Sequence, residues 1–203
     1  MLVVRHGQSE WNAAGRWQGW ADIDLTELGQ AQARHAANRL NALGVQFERV
    51  VASDLRRAQH TAELLSEGLA LGPVVPEPQL REFDVGHWSG LTRAEIEERW
   101  PGQLEAWWRG ALTHTPGGEL RTAFSDRVVG AVVRLASEPG DTLAVAHGGV
   151  VGVLQVATCV DDDRPRITNL AGRWFSVDSR GQLVAGDLVY LIDAQERTAS
   201  PTR

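Results

Sequence analysis

Apolar residues follow two patterns along this chain of 203 residues. Short continuous apolar runs, which are typical of buried strands, begin at Leu2 and occupy Arg49–Ser53 and Thr142–Ala146. Between these runs, apolar residues recur three or four positions apart, as they do on one face of a helix. Strands and helices therefore alternate, and this order predicts an α/β fold that has a doubly wound, mostly parallel sheet with helices on both faces.

Residues that start and stop helices bound the helical segments. Thr26 is suited to the N-cap of the first long helix, which we predict to end at Leu43, before Gly44. A polar loop separates this helix from the first strand. The other predicted helices span Leu55–Leu69, Thr92–Arg109 with a break at Pro101–Gly102, Thr122–Ser137 and Val150–Cys159.

Two further segments predict non-helical structure. Pro73, Pro76 and Pro78 indicate an extended crossing segment, and residues 172–189 predict a hairpin that turns at Ser179–Gly181. No repeat or linker interrupts the pattern, and the length fits one hydrophobic core. We therefore predict a single domain over residues 1–203, in which residues 194–203 form a disordered tail.

Composition narrows the class of protein. The apolar runs are far shorter than the roughly 20 residues that span a bilayer, and no basic segment precedes an apolar run at the N-terminus. We therefore expect a cytoplasmic protein without a membrane partner. The single cysteine, Cys159, excludes an internal disulfide. A homodimer stays open, because nothing in the sequence decides the oligomeric state.

The charged residues bear on the possible partners. A formal net charge of −6 argues against nucleic acid as a partner, since phosphate-backbone binding draws on clustered basic charge. All 20 basic residues are arginines, so Schiff-base and P-loop lysines are excluded. Any anion site must therefore be local, and arginine forks must hold the phosphate or carboxylate.

Unusual polar residues follow the predicted strands. Arg5 and His6 close the first strand, the segment Ser53–Arg57 follows the second, and His147 follows a third. Ligands of open α/β sheets bind outside the carboxyl ends of the strands, so we expect these segments to converge on one crevice. Two arginines and two histidines would form a compact cationic cup there, next to helix N-termini that favour anions. Its natural ligand is a phosphoryl group.

Four motifs, in a fixed order, resemble those of one known family. They are RHGQSEWN (residues 5–12) with the following QGW (18–20) and LTELG (25–29), SDLRRAQHTA (53–62), LREFDVGHWSG (80–90) and AHGG (146–149). RHG alone is a weak signal, but the matches extend in order from residue 2 to about residue 155 and are together very specific. By this resemblance the chain is identified as a member of the histidine phosphatase superfamily, also called the phosphoglycerate mutase-like family.

The resemblance implies a phosphoglycerate mutase-like fold and a reaction through a phosphohistidine. His6 would be the nucleophile, because a neutral imidazole can attack phosphorus. Arg5, Arg57 and His147 would bind the three equatorial oxygens, so neither a metal nor another cofactor is expected. Glu82 would protonate the leaving alkoxide and then deprotonate the attacking water. The partner would be a small phosphorylated metabolite.

The same resemblance assigns supporting roles. Hydrogen bonds to the phosphate or its ester are expected from Asn12, Gln18, Gly19 and Gly148. Three tryptophans that fall within motifs are expected to line the mouth of the site, namely Trp17, Trp20 and Trp88. Arg56 is expected to point elsewhere, and Asp84 is the alternative to Glu82 as the acid.

The family contains phosphatases and mutases. Mutases of this kind typically follow the acid glutamate with Arg and Tyr, which hold the substrate carboxylate, whereas Phe83, Asp84 and Val85 follow Glu82 here. A second anionic group would therefore find less to bind, and we interpret the chain as a phosphatase. A cofactor-dependent phosphoglycerate mutase is the alternative. An inactive phospho-ligand-binding member is a further alternative, although every expected residue is present.

The substrate is less well defined. Residues 80–102 are similar to those of actinobacterial phosphatases that act on glucosyl-3-phosphoglycerate, and stacking tryptophans would suit a sugar. Other members hydrolyse sugar phosphates, α-ribazole phosphate or a broad range of esters. The glucosyl compound is therefore one candidate among several esters of the sugar or glycerate type.

Overall fold

The structure is a computed structural model, and it describes residues 1–158 and 167–197. Within these residues, the strands are β1 (Leu2–Arg5), β2 (Arg49–Ala52), β3 (Val75–Pro76), β4 (Thr142–Ala146), β5 (Ala171–Val177) and β6 (Leu183–Tyr190). The helices are α1 (Glu10–Ala13), α2 (Glu27–Ala42), α3 (Arg56–Gly68), α4 (Arg93–Arg99), α5 (Gln103–Trp108), α6 (Arg121–Ala136), α7 (Gly148–Ala157) and α8 (Ala194–Arg197). Turns of 3-10 helix at Pro78–Leu80 and Gly86–Trp88 lie between β3 and α4.

All the strands belong to one mixed sheet, in the order β3-β2-β4-β1-β5-β6. β3, β2, β4 and β1 run parallel to one another, with Leu2 opposite Leu143 and Arg49 opposite Thr142. β5 runs antiparallel to both β1 and β6. The predicted α/β class with a mostly parallel sheet is confirmed, and the antiparallel edge is the hairpin expected around residues 179–181.

The alternation of side chains along β1 divides the core into two layers. Leu2 and Val4 pack in one buried cluster with Leu40 of α2, whereas Val3 packs in another with Val128 of α6. Successive side chains of a strand point to opposite faces, so each face of the sheet needs its own cover of helices. The expected helices on both faces of the sheet are present.

Most predicted helix limits lie within two residues of the observed ones. The Thr26 hydroxyl accepts a hydrogen bond from the Gly29 N–H at 3.0 Å, so Thr26 is the N-cap of α2 as expected. The predicted break at Pro101–Gly102 separates α4 from α5, and Gly102 takes a left-handed φ of 76° there.

The largest differences lie near the C-terminal half of the sheet. α7 begins at Gly148, two residues before the predicted start at Val150. The prediction was too late because glycine has a low helix propensity, and two glycines occupy the start of this helix. The predicted end of this helix at Cys159 lies outside the described residues. Ala194–Arg197 form the helical turn α8 where we expected the disordered tail to begin, and residues 198–203 also lie outside the described part. The single-domain assignment stays a prediction.

No helix within residues 1–158 and 167–197 is both long and apolar enough to cross a membrane. The longest helices, α2 and α6, each contain 16 residues. Polar residues interrupt both of them at regular intervals. This pattern is typical of helices that cover one face of a sheet.

Two glycines bring the loop after β1 against the start of α2. A Cβ atom on Gly29 would lie 2.0 Å from the carbonyl oxygen of Gln8, and one on Gly7 would lie 2.5 Å from the carbonyl oxygen of Gly29. Both obstacles are main-chain atoms, which cannot rotate away. This close approach fixes the main chain immediately after His6.

We expect Gly29→Ala to lower the free energy of unfolding by about 1–3 kcal/mol, since the added methyl group overpacks two main-chain segments. The matched control is Gly130→Ala in α6, where a Cβ atom would meet nothing within 4 Å. That substitution should raise the free energy of unfolding by about 0.5–1 kcal/mol through helix propensity. Urea unfolding of the two variants measures both effects, and equal stability of Gly29→Ala and the original chain would contradict the packing argument.

Candidate active site

The carboxyl ends of β1, β2 and β4 meet at one edge of the sheet. His6 directly follows β1 and His147 directly follows β4, and their ring centroids lie 5.2 Å apart in an edge-to-face arrangement. Arg5, at the end of β1, is buried, and its Nη1 donates to the carbonyl oxygen of Ile167 at 2.8 Å. The expected convergence of these strand ends is therefore present.

The hydrogen bonds of His6 define its tautomer. Nδ1 lies 2.6 Å from the carbonyl oxygen of Gly7, which can only accept, so Nδ1 carries the proton. Nε2 lies 3.2 Å from Nε of Arg57, which can only donate, so Nε2 presents its lone pair. Burial and the nearby Arg57 and Arg5 guanidinium groups hold the pKa of His6 well below its usual value. The neutral ring therefore keeps its proton on Nδ1, against the carbonyl oxygen of Gly7, and has an unprotonated nitrogen at Nε2.

Arg57 is a fully buried cation. Its Nη1 donates to the carbonyl oxygen of Ala21 at 2.8 Å, and its Nη2 donates to that of Gly19 at 2.9 Å. Burial lowers the pKa of Arg57 to about 10, with Arg5 adding to the shift and Glu82 opposing it, so the group stays charged at neutral pH. Arg56 instead reaches the surface, where its Nε lies 3.1 Å from Asp24, as expected.

His147 lies next to His6 and is fully buried. Its Nε2 lies 2.8 Å from Oγ of Ser53, while its Nδ1 has no hydrogen-bond partner among the described residues. Burial and the Arg57 guanidinium are the main causes that hold the pKa of His147 well below its usual value. A neutral His147 can donate from Nδ1 only if the Ser53 hydroxyl donates to Nε2. Ser53 follows β2 in the second motif, and we had given it no role in the site.

The structure separates Glu82 from Asp84. Oε1 of Glu82 accepts the N–H of Phe83 at 2.8 Å, and Oε2 accepts the N–H of Gly149 at 3.1 Å, in the first turn of α7. A Cβ atom on Gly149 would lie 2.2 Å from Oε1 of Glu82, so a larger residue there would displace the carboxylate from this position. Asp84 instead accepts the N–H of Gly86 at 3.0 Å and does not line the cavity.

The predicted supporting residues surround the same space. Oδ1 of Asn12 lies 3.3 Å from the amide nitrogen of Asn169, and Oε1 of Gln18 accepts from the Ser9 hydroxyl at 2.8 Å. Gly19 presents its carbonyl oxygen to Arg57, and Gly148 begins α7, whose first N–H groups lack partners within the helix. The geometry therefore brings the predicted residues together, while their roles stay predictions.

A cavity of about 490 Å³ opens over these groups. Its lining includes every predicted site residue except His147, whose ring centroid lies 5.2 Å from that of His6. Its walls differ from our expectation, because Trp88 is fully buried in the core and Trp20 does not line the space. Trp17 does, and the lining residues that motif matching missed include Arg93, Trp107 and Trp108.

Arg93 changes the charge of the cavity mouth. Its guanidinium carbon lies 4.4 Å from the ring centroid of Trp108, and no carboxylate forms an ion pair with it in the described part of the chain. Our expectation that a second anionic group would find little to bind rested on residues 83–85 alone. Arg93, the first residue of α4 and ten positions after Phe83, supplies a cation instead.

The residues that line the cavity do not form a cluster of metal ligands. Within residues 1–158 and 167–197, one group of possible ligand atoms lies close together, formed by His35, Asp193 and Glu196. None of these residues lines the cavity. The positive charge of the cavity comes from arginine side chains.

Comparison with known proteins agrees with this geometry. The sequence profile described as the histidine phosphatase superfamily (branch 1) matches residues 1–171. The chain is 38% identical over 161 residues to a 2,3-bisphosphoglycerate-dependent phosphoglycerate mutase of Methylobacterium radiotolerans, covering 76% of each chain. It is 39% identical over 167 residues to a glucosyl-3-phosphoglycerate phosphatase of Mycobacterium tuberculosis, covering 77% of this chain and 74% of that one.

A solved structure is also similar. It is a mycobacterial glucosyl-3-phosphoglycerate phosphatase in complex with VO3, with a TM-score of 0.79 and 33% sequence identity. The match covers 92% of this chain and 95% of that one. The relatives therefore include both enzymes named as phosphatases and enzymes named as mutases.

We expect His6 and His147 to stay neutral at pH values where a model histidine, with a pKa of about 6.5, is mostly protonated. Burial and the adjacent guanidinium groups disfavour protonation of both rings. Nitrogen-15 NMR of the imidazole rings, assigned with His6→Asn and His147→Asn, reports both the charge and the tautomer. His6 should carry its proton on Nδ1 throughout. A proton on Nε2, or protonation of His6 near pH 6.5, would contradict the geometry.

Proposed function

This chain belongs to the histidine phosphatase superfamily, and from that membership we propose that it is a phosphomonoesterase that acts through a phosphohistidine intermediate. Its substrate is a small phosphorylated metabolite. The observation that carries the proposal is the environment of His6, whose Nε2 has a lone pair and lies next to a buried guanidinium at the floor of the cavity. A lone pair and a desolvated cation at one point suit an anionic electrophile.

In the first half-reaction, Nε2 of His6 forms a bond to phosphorus while the bond from phosphorus to the ester oxygen breaks. The Glu82 carboxyl group gives its proton to the departing oxygen. The guanidinium groups of Arg5 and Arg57 and the imidazole of His147 stabilise the charge that spreads over the equatorial oxygens. The hydrogen bond that Nδ1 donates to the carbonyl oxygen of Gly7 stabilises the positive charge that the ring acquires.

In the second half-reaction, water attacks the phosphohistidine. The Glu82 carboxylate takes a proton from that water, and the water oxygen forms a bond to phosphorus while the bond from Nε2 to phosphorus breaks. The phosphate that leaves contains one oxygen from the water. His6 returns to its neutral tautomer, and Glu82 returns to its protonated form. Both half-reactions use the same carboxyl group, which lies at the N-terminus of α7.

The residues after Glu82 favour hydrolysis over phosphoryl transfer to a second substrate. The ring of Phe83 packs in the core, with its centroid 4.8 Å from that of Trp107 and 5.4 Å from that of Phe124. Val85 is buried as well, so this loop supplies no cation to the cavity. Arg93 is the observation that favours the second candidate, a mutase, because it offers a binding partner for a second anionic group.

The cavity walls support a leaving group of moderate size. Trp17, Trp107 and Trp108 offer aromatic faces and edges, and Arg93 offers a charge that suits a carboxylate. A sugar or glycerate ester combines a stackable or hydroxylated part with an anionic part. Glucosyl-3-phosphoglycerate, which appears in the names of mycobacterial relatives, is therefore the first compound to test.

We expect release of inorganic phosphate from this substrate to exceed transfer between positions of phosphoglycerate, in assays run in parallel on the same preparation. Phosphate release should survive EDTA, since guanidinium and imidazole groups supply the charge that a metal would otherwise supply. Efficient interconversion of phosphoglycerates, dependent on the bisphosphate, would favour the mutase. Loss of activity with EDTA that Mg²⁺ or Zn²⁺ restores would contradict the metal-free mechanism.

We expect rapid quenching with labelled substrate to trap an acid-labile, base-stable phosphoryl enzyme. The label should lie on His6, and His6→Ala should trap none, because the nitrogen lone pair of Nε2 lies at the floor of the cavity next to Arg57. His147→Ala should still become labelled, although slowly, since it loses an oxygen-binding group but keeps the nucleophile. Equal labelling of His6→Ala and the original chain would show that another residue is the nucleophile.

We expect Glu82→Gln to slow phosphoenzyme formation from an alkyl phosphate by roughly 10²–10⁴-fold, because a basic alkoxide needs a proton to leave. Formation from p-nitrophenyl phosphate should slow much less, since p-nitrophenolate leaves without one. The burst phase is the quantity to measure, because slow dephosphorylation also lowers turnover. Asp84→Asn is the matched control and should show no dependence on the leaving group. The reverse result would move the acid to Asp84.

A further inference from the structure

The segment that carries Glu82 has little regular structure of its own. The 3-10 turn Pro78–Leu80 precedes it, and the next turn begins only at Gly86. Main-chain carbonyl groups in such a segment still need hydrogen-bond donors when they are shielded from water. Several of these donors come from one side chain outside the segment, that of Arg127 on α6.

The N–H groups of Arg127 are fully used. Nη1 donates to the carbonyl oxygens of Gln79 and Arg81 at 2.8 and 2.9 Å, and Nη2 donates to that of Glu82 at 2.9 Å. The remaining N–H groups bind the Glu119 carboxylate, with Nε 3.1 Å from Oε2 and Nη2 2.7 Å from Oε1. The planar fork of a guanidinium can serve all these acceptors at once, and an ammonium group cannot.

Glu119 extends the contact to the other side of Glu82. Its Oε1 accepts the N–H of Asp84 at 2.7 Å, and its own N–H donates to the carbonyl oxygen of Asp84 at 3.1 Å. Each side chain of the pair Arg127 and Glu119 is only 15% exposed, so the pair is shielded from screening by solvent. This pair, here named the acid-loop clamp, holds the main chain both at Glu82 and two residues beyond it.

Glu82 itself depends on that main chain. Within the described part of the chain, its carboxylate accepts from the N–H groups of Phe83 and Gly149, and one of these belongs to its own segment. Arg127 does not line the cavity and therefore does not contact the substrate. Its charge is one of the minor causes that lower the pKa of His147, and its further contribution to the reaction passes through the position of Glu82.

We infer that the acid-loop clamp is a positioning device for proton transfer, which places the Glu82 carboxyl group against the leaving oxygen. This inference rests on the proposed function, in which Glu82 is the acid. Misplacement of a reacting group by about 1 Å can reduce a rate by about 100-fold. Loss of the clamp therefore slows the step that needs the acid and spares phosphoryl transfer from good leaving groups.

The test is Arg127→Lys, which keeps the positive charge and loses the fork. Its burst of phosphoenzyme from an alkyl phosphate should slow by about 10- to 100-fold, and its burst from p-nitrophenyl phosphate by less than about 3-fold. A general loss of structure would slow both bursts alike. A purely electrostatic role would leave both unchanged, because lysine keeps the charge. Either of these two results would overturn the inference.

A matched control lies on the same helix. Arg134 pairs with Glu77 at the start of the same segment but is 54% exposed and binds none of the carbonyl groups at residues 79–82. Arg134→Lys should retain the original rates with both substrates. Glu119→Gln is the second clamp variant, and it decides the question if Arg127→Lys does not fold. It should show the same selective loss, and unchanged rates would count against the clamp.

The double variant Arg127→Lys with Glu82→Gln separates this inference from the proposed function. If the clamp acts through Glu82, the double variant should be no slower than Glu82→Gln alone with the alkyl phosphate. Additive losses would show that Arg127 acts by another route. If Glu82→Gln itself shows no dependence on the leaving group, the proposed acid fails. If Glu82→Gln shows that dependence and the clamp variants do not, the clamp fails and the proposed function stands.

Discussion

Burial of the Arg57 guanidinium against the His6 imidazole is the interaction on which the rest of the site depends. A cation removed from water needs acceptors for all its N–H groups, and here carbonyl oxygens of the loop before α2 supply two of them. The N–H of Nε points at Nε2 of His6, which must then remain an acceptor. One buried side chain therefore fixes the path of a loop and the protonation state of the candidate nucleophile.

The same requirement explains why so many site residues lie in irregular segments. The sheet delivers Arg5, His6 and His147 through strands whose register is set by ordinary parallel pairing. The groups that face them lie on loops, and loops need tertiary contacts to hold them. Glycines let main chains approach each other near His6 and Glu82, and the partly buried ion pair of Arg127 and Glu119 holds the loop that carries Glu82. Side-chain donors thus replace the hydrogen bonds that a strand or helix would have supplied.

The sequence predicted the sheet and the strand-end residues well because both depend on local patterns. The apolar run Thr142–Ala146 is a strand with those limits, and Thr26 caps its helix through a side-chain contact three residues away. The walls of the cavity could not be found in this way. The sequence pattern does not distinguish Trp88 from Trp107, since both are apolar. Trp107 lines the cavity because α5 packs against Phe83, a contact that the pattern does not reveal. Arg93 and Arg127 were missed because their contacts join segments far apart in the chain.

The charge distribution determines which kind of ligand the cavity favours. The chain as a whole carries a formal charge of −6, yet the floor of the cavity collects buried guanidinium groups against a single carboxylate, Glu82. Burial and the Arg57 guanidinium disfavour protonation of both histidines, and the neutral imidazoles limit the positive charge that must be desolvated. The remaining excess of positive charge is unfavourable in a low-dielectric site unless an anion enters. The buried arginines therefore favour an anionic ligand, which supports the proposed phosphoryl group, and they would stabilise that group most when its charge spreads toward them.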